Sequence, residues 1–595
     1  MTTTTSTPNP TSRFHLPRPF VGLRGITRAD LPSQITAGVT LAALMIPLNI
    51  GYAAVAGLSP EVGLYAALLP MITYAVFATS RQVIAGPDAA IAALMGSLLI
   101  PLAAPGDPHY LELALVLSVL CGIFFILFWL FKLGFLANYL SRAVLIGLIT
   151  GLGIEVLFSQ IRKIMGVSVE AEGFFREVWA TIAAIPLANL YSVGLGLGTI
   201  ALIRVLRGYV PKVPGALLAL LLMTAVVAVF GLADKGVSVL GQVPAGLPGL
   251  TLPRASFAQW MALIPGALAL VALTASEGLL LARNYAQNYN YVVDSDQEMF
   301  AYGVANVAAG FTGALPVGTS SSRSAAMDDA GMRSQWPTVV AAIVVALVLL
   351  FFTDLLALLP SAVLAGVVAN AVLKLIDIAG LRELYAMRRS EFWIAIVCLL
   401  GVLVLGTLAG LTVAFLLTTI AVVGRAARPQ TGILTEHSDG TGFRIADGMD
   451  EAVTAPGLII YRFGGPLFFA NATFFREQVE QWAARLSDGD WFTLDAQAVN
   501  DIDVTGAEAF RGVLDYLHSR QVTFAMSGAY APIPELLARY DLAERIGEDR
   551  LYVNNREALV AFYGETGRPV PDPFAAWIKT NPGTAVSVDR EVGID

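Results

Sequence analysis

From Gln34 to Arg425 the chain returns again and again to apolar stretches long enough to cross a lipid bilayer, and this pattern decides what it can fold into. A hydrocarbon core about 30 Å thick needs roughly 20 apolar residues in a helix, and lipid offers no partner to an unpaired backbone group, so such stretches must be helices packed on one another. Candidate spans fall at residues 35–56, 62–79, 84–101, 112–133, 138–158, 178–205, 212–232, 259–282, 298–312, 320–334, 337–353, 359–376, 391–408 and 409–425. With 56% apolar and only 14% charged residues, most of the chain is a polytopic α-helical membrane protein of fourteen transmembrane segments.

The basic residues test that count. Loops after even-numbered spans carry Arg81, Lys132 and Arg142, Arg204, Arg207 and Lys212, Arg283, Arg333, and Lys374, Arg382, Arg388 and Arg389. Most loops after odd-numbered spans carry none, and the remainder balance Arg162, Lys163, Arg176, Lys235 and Arg254 with acids. Positive charge marks the cytoplasmic side, so both termini are expected in the cytoplasm. Residues 1–33 read as a Thr/Pro/Arg-rich cytoplasmic leader without the short apolar core of a signal peptide.

Several function classes find no support. A net charge of −8 gives no footprint for nucleic acid. Cys121 and Cys398 lie in separate apolar spans, and His15, His109, His437 and His518 show no ligand spacing, so neither a disulfide framework nor a metal or other cofactor is expected. No phosphate-binding G-x-x-x-x-G-K-[ST] loop and no spaced nucleophile and base suggest an enzyme.

The chemistry concentrates in residues 310–335, GFTGALPVGTSSSRSAAMDDAGMRSQ, which interrupt the apolar pattern with glycines, a proline, hydroxyls and Arg323. A charge near bilayer depth costs about 2.5–3.5 kcal/mol on insertion scales, and irregular backbone there must line protein or a water-filled cavity. Gly318 to Ser321 predict a turn into a short helix whose free N–H groups and positive dipole end attract an anion, with Arg323 in its first turn. The plainer alternative is an arginine that snorkels or closes a structural ion pair. A similar break, Ala85-Gly86-Pro87-Asp88, opens the third span, so the fourteen spans divide into a seven-plus-seven inverted repeat with broken elements at matching places. Glu277 is the one ionisable residue between Met261 and Leu281, which makes it a proton or cation site or else a partner of Arg323.

Beyond Arg425 the composition changes. Residues 428–455 read as a polar linker, residues 456–563 alternate short β-rich runs with amphipathic helices as a small α/β domain, and residues 564–595 read as a mobile polar tail.

Four ordered motifs carry a family resemblance. The run Ile46 to Ala66, IPLNIGYAAVAGLSPEVGLYA, resembles the first-span signature of the sulfate permease (SulP) anion transporters, solute carrier family twenty-six in animals. Gly318 to Ala325, GTSSSRSA, is similar to that family's tenth-span motif, Ala275 to Arg283 to its eighth span, and Gln297-Glu298 through Asn306 to the segment after it. Gly464 to Ala472 and Asp501 to Gly506 resemble the STAS domain that follows such membrane domains. The resemblance implies a core domain of spans one to four and eight to eleven moving like an elevator against a gate domain of the others, within residues 34–427.

The resemblance also implies an anion seat between the third and tenth spans, flanked by the first and lined by Tyr52, Asp88, Ser322 and Arg323, with Leu48 beside them where many relatives have Gln. Asp88 has two readings. As an N-cap it satisfies free N–H groups of the third span; as a site acid it takes up a proton when the anion arrives. Proton-coupled relatives carry an acid in the span of Glu277, so that residue is the other candidate for coupling. Asn49 and Asn306 read more readily as interhelical glue. In stand-alone STAS relatives the hydroxyl matching Thr505 is phosphorylated, so Asp503 and Thr505 are candidate regulatory residues, or simply helix caps.

The expectation is therefore a plasma-membrane, homodimeric, lipid-embedded secondary transporter that moves sulfate or bicarbonate with protons. Sodium coupling, dicarboxylate transport and anion exchange stay open. A membrane sensor that reports anion occupancy through its STAS domain is the alternative from another class.

Overall fold

Proline, glycine and short polar caps set the ends of the helices formed by the apolar runs. The computed structural model describes residues 17–133, 141–167, 173–209, 215–436, 442–446, 453–571 and 574–575. Expectations for Arg13, His15, Lys212, His437 and most of the tail fall outside them. The chain divides into two units, residues 1–418 and 419–595.

In the first half of the membrane unit the helices are α1 Leu31–Val55, α2 Pro60–Tyr65, α3 Leu69–Phe77, α4 Ala89–Leu99, α5 Pro108–Leu130, α6 Arg142–Met165, α7 Phe174–Ala183, α8 Leu190–Tyr209 and α9 Gly215–Val229. The second half contains α10 Phe257–Asn288, α11 Ser295–Phe311, α12 Ser321–Asp329, α13 Trp336–Phe351, α14 Thr353–Ala357, α15 Ser361–Val372, α16 Ile378–Met387, α17 Arg389–Leu405 and α18 Thr407–Ala427. Two-residue strands, β1 Ala85–Gly86 and β2 Gly318–Thr319, precede α4 and α12. Caps explain the boundaries: Asp107 and Ser141 accept from His109 and Val144 backbone N–H groups, Ser256 and Gln259 form a capping box, and Gly166 ends α6 at φ 69°.

Helices occupy each of the fourteen expected spans, with four differences of detail. The second span is two helices, because Leu68 leaves helical geometry just before Leu69-Pro70. The sixth, expected at 178–205, is split by Pro186 into amphipathic α7 and apolar α8. The eighth runs on to Asn288, 32 residues in all, or about 48 Å. The twelfth ends at Val372, and the chain then forms α16, whose Glu383 receives both guanidinium nitrogens of Arg142 at 3.2 and 2.6 Å. That pair holds the Glu383 carboxyl below its ordinary range.

The helices pack as two groups. α3, α5, α10 and α11 lie against one another, with α1 on α13, whereas α6, α8, α15 and α17 form the other set. Small residues permit the close approaches: a Cβ on Gly122 of α5 would sit 2.7 Å from the Val307 backbone of α11, and one on Gly147 of α6 would sit 2.3 Å from the Ala395 carbonyl of α17.

The second unit is a six-stranded sheet with order β4-β3-β5-β6-β7-β8, built from β3 Gln430–Glu436, β4 Phe443–Ile445, β5 Leu458–Gly464, β6 Trp491–Asp495, β7 Thr523–Ser527 and β8 Leu551–Tyr552. The last four are parallel, and β3 is antiparallel to both neighbours. Among the described residues five helices accompany it: α19 Ala472–Ala483, α20 Val504–Ser519, α21 Ile533–Arg539, α22 Ala543–Ile546 and α23 Asn555–Thr566. Alternation along β5 sends Ile459, Tyr461 and Phe463 into one core with Phe475 and Phe510, and Leu458 and Ile460 into the other with Trp491 and Phe562. Thus β3 and β4, inside the stretch that reads as a polar linker, belong to the sheet.

Candidate functional site

The two broken elements meet. β1 and β2 pair antiparallel, Ala85 opposite Thr319 and Gly86 opposite Gly318, so residues more than 200 positions apart share one short ladder. Ser324 strengthens it by accepting from the Ile84 N–H at 2.9 Å and donating to the Ser320 carbonyl at 2.8 Å. Glycine is required in both strands by space. A Cβ on Gly86 would press on the Arg323 guanidinium at 3.2 Å, and one on Gly318 would sit 2.1 Å from Ile91 and 2.7 Å from Thr274.

Antiparallel pairing aims the amino ends of α4 and α12 at one place. They are finished differently. Asp88 caps α4 with its own carboxylate, accepting from the Ala90 N–H at 3.3 Å. Ser320, the N-cap of α12, makes no side-chain cap bond; its hydroxyl instead donates to Asp88 at 3.1 Å. The amino end of α12 therefore keeps its positive dipole end uncapped.

Arg323 is buried at 2% exposure beside this end. Its Nη1 donates to Asn49 Oδ1 at 3.1 Å, its Nη2 donates to the Pro87 carbonyl, and its buried Nε has no partner among the described residues. Both acceptors are neutral, and Arg323 forms no ion pair among the described residues, although the Asp88 charge is near enough to act on it. Asn49 is fixed in turn by donating to the Gly63 carbonyl at 3.1 Å. It lies just past Pro47, which interrupts the hydrogen bonding of α1.

Tyr52 is buried one helical turn from Asn49, within electrostatic reach of Asp88 and Arg323, and its hydroxyl makes no hydrogen bond among the described residues. Leu48 is half-buried on the same helix. Glu277 lies in α10 near Asp88 and makes no hydrogen bond or ion pair among the described residues, so the structure does not pair it with Arg323. Ser322 is exposed in the first turn of α12, and Ser320 is the serine that bonds to the Asp88 carboxylate. In the second unit Asp503 caps α20 by accepting from Gly506 at 2.7 Å and also receives the Phe469 N–H at 2.9 Å; Thr505 is exposed in the first turn.

Sequence reasoning missed Glu298 as a site-supporting residue. Its buried carboxylate accepts from the Thr79 N–H at 2.6 Å, the Thr79 hydroxyl at 2.7 Å, the Ser80 N–H at 2.6 Å and the Tyr74 hydroxyl at 2.9 Å. This clasp fixes the turn just before β1. Tyr302, stacked on Phe125 and tilted against Tyr74, hydrogen-bonds Thr319 of β2 at 2.5 Å. Asn306 fixes the approach to the same strand through three bonds to the Tyr302 and Val317 backbones. The signal for Glu298 was an acid at the very start of an expected span, 298–312, which the structure places one turn inside α11.

Paired half-helices around a buried, incompletely satisfied cation inside a helical membrane bundle define a membrane anion transporter, and not an enzyme. The sulfate permease family model matches residues 31–398 and the STAS domain model residues 451–558. The chain belongs to the sulfate permease family. It is 35% identical over 546 residues to the "Probable sulfate transporter" of Mycobacterium tuberculosis strain H37Rv, covering 91% of this chain and 97% of that one. It is 28% identical to sulfate transporter 1.3 of Arabidopsis thaliana, covering 88% of this chain and 84% of the other. The fold is that of SLC26A9, with a TM-score of 0.83 at 21% identity over 91% of this chain and 92% of that one. It is also that of the transmembrane domain of the cyanobacterial bicarbonate transporter BicA, with a TM-score of 0.59 at 23% identity over 65% of this chain and 98% of that one.

Proposed function

We propose that the chain is a secondary active transporter that carries sulfate, or alternatively bicarbonate, together with protons by elevator-type alternating access. The observation that carries this reading is Arg323, a buried guanidinium held by two neutral acceptors with Nε unsatisfied, beside the uncapped end of α12. A buried cation in that condition is stabilised by a bound anion. Sulfate is favoured over bicarbonate by the sulfate transporters among its relatives.

Anion and proton are linked by charge. Asp88 sits in the seat, so a divalent oxyanion entering beside its carboxylate meets repulsion that one proton removes. Glu277, without a hydrogen bond or ion pair among the described residues and within reach of the Asp88 charge, is the second place for that proton. Tyr52 and Ser322 complete the lining, Tyr52 by its unpaired hydroxyl and Ser322 by its N–H at the head of α12. The core of spans one to four and eight to eleven moves against the gate, and the packing of α3, α5, α10 and α11 apart from α6, α8, α15 and α17 supports that division. The transporter works as a homodimer in the cell membrane with both termini cytoplasmic, as the basic loops indicate. Asp503 and Thr505 form a regulatory corner in which a phosphate on Thr505 would lie at the head of α20.

The test is uptake of labelled sulfate and bicarbonate into proteoliposomes under an inward proton or an inward sodium gradient, for the wild type and Glu277→Gln. Sulfate uptake that follows the proton gradient, and loses that dependence in Glu277→Gln while exchange persists, supports symport through Glu277. Uptake driven by sodium alone, indifferent to Glu277→Gln and Asp88→Asn, overturns proton coupling.

A further inference from the structure

On the other side of α1 from Asn49 lies a second polar space that the transport reading does not use. It is a cavity of ≈ 250 Å³ lined by Gly51 and Ala54 of α1, Gln160 and Lys163 of α6, Ser192 of α8, Ser361 and neighbours of α15, and Ser238 of the connecting segment. Asn49 and Gly51 point about 200° apart around the helix, so α1 stands between this cavity and the Arg323 seat. Gly51 packs tightly against Val368, a cavity wall: a Cβ there would sit 2.2 Å from the valine side chain.

The lining has the chemistry of an anion receptor. Two adjacent cations end α6, and they are treated differently. Arg162 is paired with Glu177 at 2.6 Å, whereas Lys163 donates one bond to the Ala54 carbonyl at 3.0 Å and forms no ion pair among the described residues. Among the described residues, no acid lines the cavity. The side-chain hydroxyls of Ser192, Ser238 and Ser361 make no hydrogen bond among the described residues, so three donors and an ammonium converge on a space large enough for a hydrated oxyanion.

We propose that this cavity is a second oxyanion site, in which Lys163 and the three serines hold a small inorganic oxyanion at the boundary between α1 and the α6, α8, α15 group. Its existence follows from the lining alone. Its role, an antechamber from which the anion reaches the Arg323 seat when α1 moves, rests on the transport reading. The Lys163 bond to Ala54 crosses that boundary, so an oxyanion that takes over the ammonium also releases α1 from α6.

The test uses full-length Ser361→Cys protein in liposomes, with the wild type as control because Cys121 and Cys398 are buried. Labelling by an anionic methanethiosulfonate is compared with labelling by a cationic one, with and without millimolar sulfate. The expected result is a preference for the anionic reagent of about tenfold or more, slowed by sulfate, lost in Lys163→Met and kept in Lys163→Arg. Should Lys163→Met fail to fold, Ser192→Ala/Ser238→Ala is expected to lose the sulfate protection instead. Protection that persists in Arg323→Ala shows that the cavity binds on its own. The proposal is overturned by absence of labelling, by indifference to reagent charge, by unchanged behaviour of Lys163→Met, or by loss of protection in Arg323→Ala. Labelling needs no turnover, so sulfate protection in a protein that transports neither sulfate nor bicarbonate would sink the transport reading and leave this site standing.

Discussion

α4 and α12 occupy equivalent places in the two halves and carry opposite chemistry. α4, AAIAALMGSLL, is apolar except for Ser97 and closes its amino end with the Asp88 carboxylate. α12, SSRSAAMDD, is polar, leaves its amino end uncapped and buries a guanidinium in its first turn. The scaffold is common to both, a glycine-bearing strand leading into a half-helix. The difference shows a division of labour: the first half supplies support and an acid, the second supplies the positive end. One geometry is used twice, and a few residues give the second copy its charge.

The comparison predicts unequal sensitivity to substitution. Arg323→Ala should have the largest effect, a loss of uptake of at least about 100-fold with the protein still folded, since a hydrogen-bonded charge is worth roughly 3 kcal/mol or more to a bound anion. Retention of wild-type sulfate uptake in that variant would remove α12 from the seat. Gly318→Ala should come next, because the added methyl has no room beside Ile91 and Thr274. A drop of about 1–3 kcal/mol in stability, read as a lower melting temperature in detergent, is expected, and an unchanged melt would mean that the two strands are not locked together.

Asp88 separates cap from coupling. Asp88→Ala should cost about 0.5–2 kcal/mol of stability, whereas Asp88→Asn keeps the cap and should melt close to wild type. If the carboxylate also carries the proton, Asp88→Asn flattens the pH dependence of sulfate uptake without lowering the melt. A pH profile identical to wild type would confine Asp88 to capping. The smallest effects concern the hydroxyls of α12. Ser320→Ala removes the bond to Asp88 and should cost about 1 kcal/mol, whereas exposed Ser322→Ala should leave stability within about 0.5 kcal/mol and act only on sulfate affinity. A melt in which Ser322→Ala is the worse of the two would reverse the assignment of these residues.

Much of this arrangement was legible in the chain. Lipid forbids unpaired backbone, so fourteen apolar runs had to be helices, and Gly-Pro-Asp and Leu-Pro-Val-Gly interruptions at bilayer depth had to line something. What could not be read was phase. Five hydroxyls surround Arg323, and only the start of α12 at Ser321 makes Ser320 the cap and Ser324 its partner one turn on. Asn49 and Tyr52 gained their places from the missing backbone N–H at Pro47 and the close approach of Gly63 to the Asn49 carbonyl, which no local pattern announces. Glu298 was hidden because its four donors come from α3 and the turn after it, more than 200 residues away. The strands β3 and β4 looked like a linker because polar, glycine-rich sequence surrounds them and their partner β5 lies further along the chain.

The four-residue ladder of β1 and β2 also governs how the chain can vary over evolutionary time. A ladder two residues long has no spare register: one inserted or deleted residue in either strand turns every side chain to the opposite face, taking Gly86 from beneath the guanidinium and Gly318 from beside Ile91. Length changes should therefore be purged around residues 84–88 and 317–321 and tolerated in segments that only connect helices. New anion preferences would then arise by exchanging side chains on a ladder of invariant length, and never by lengthening it.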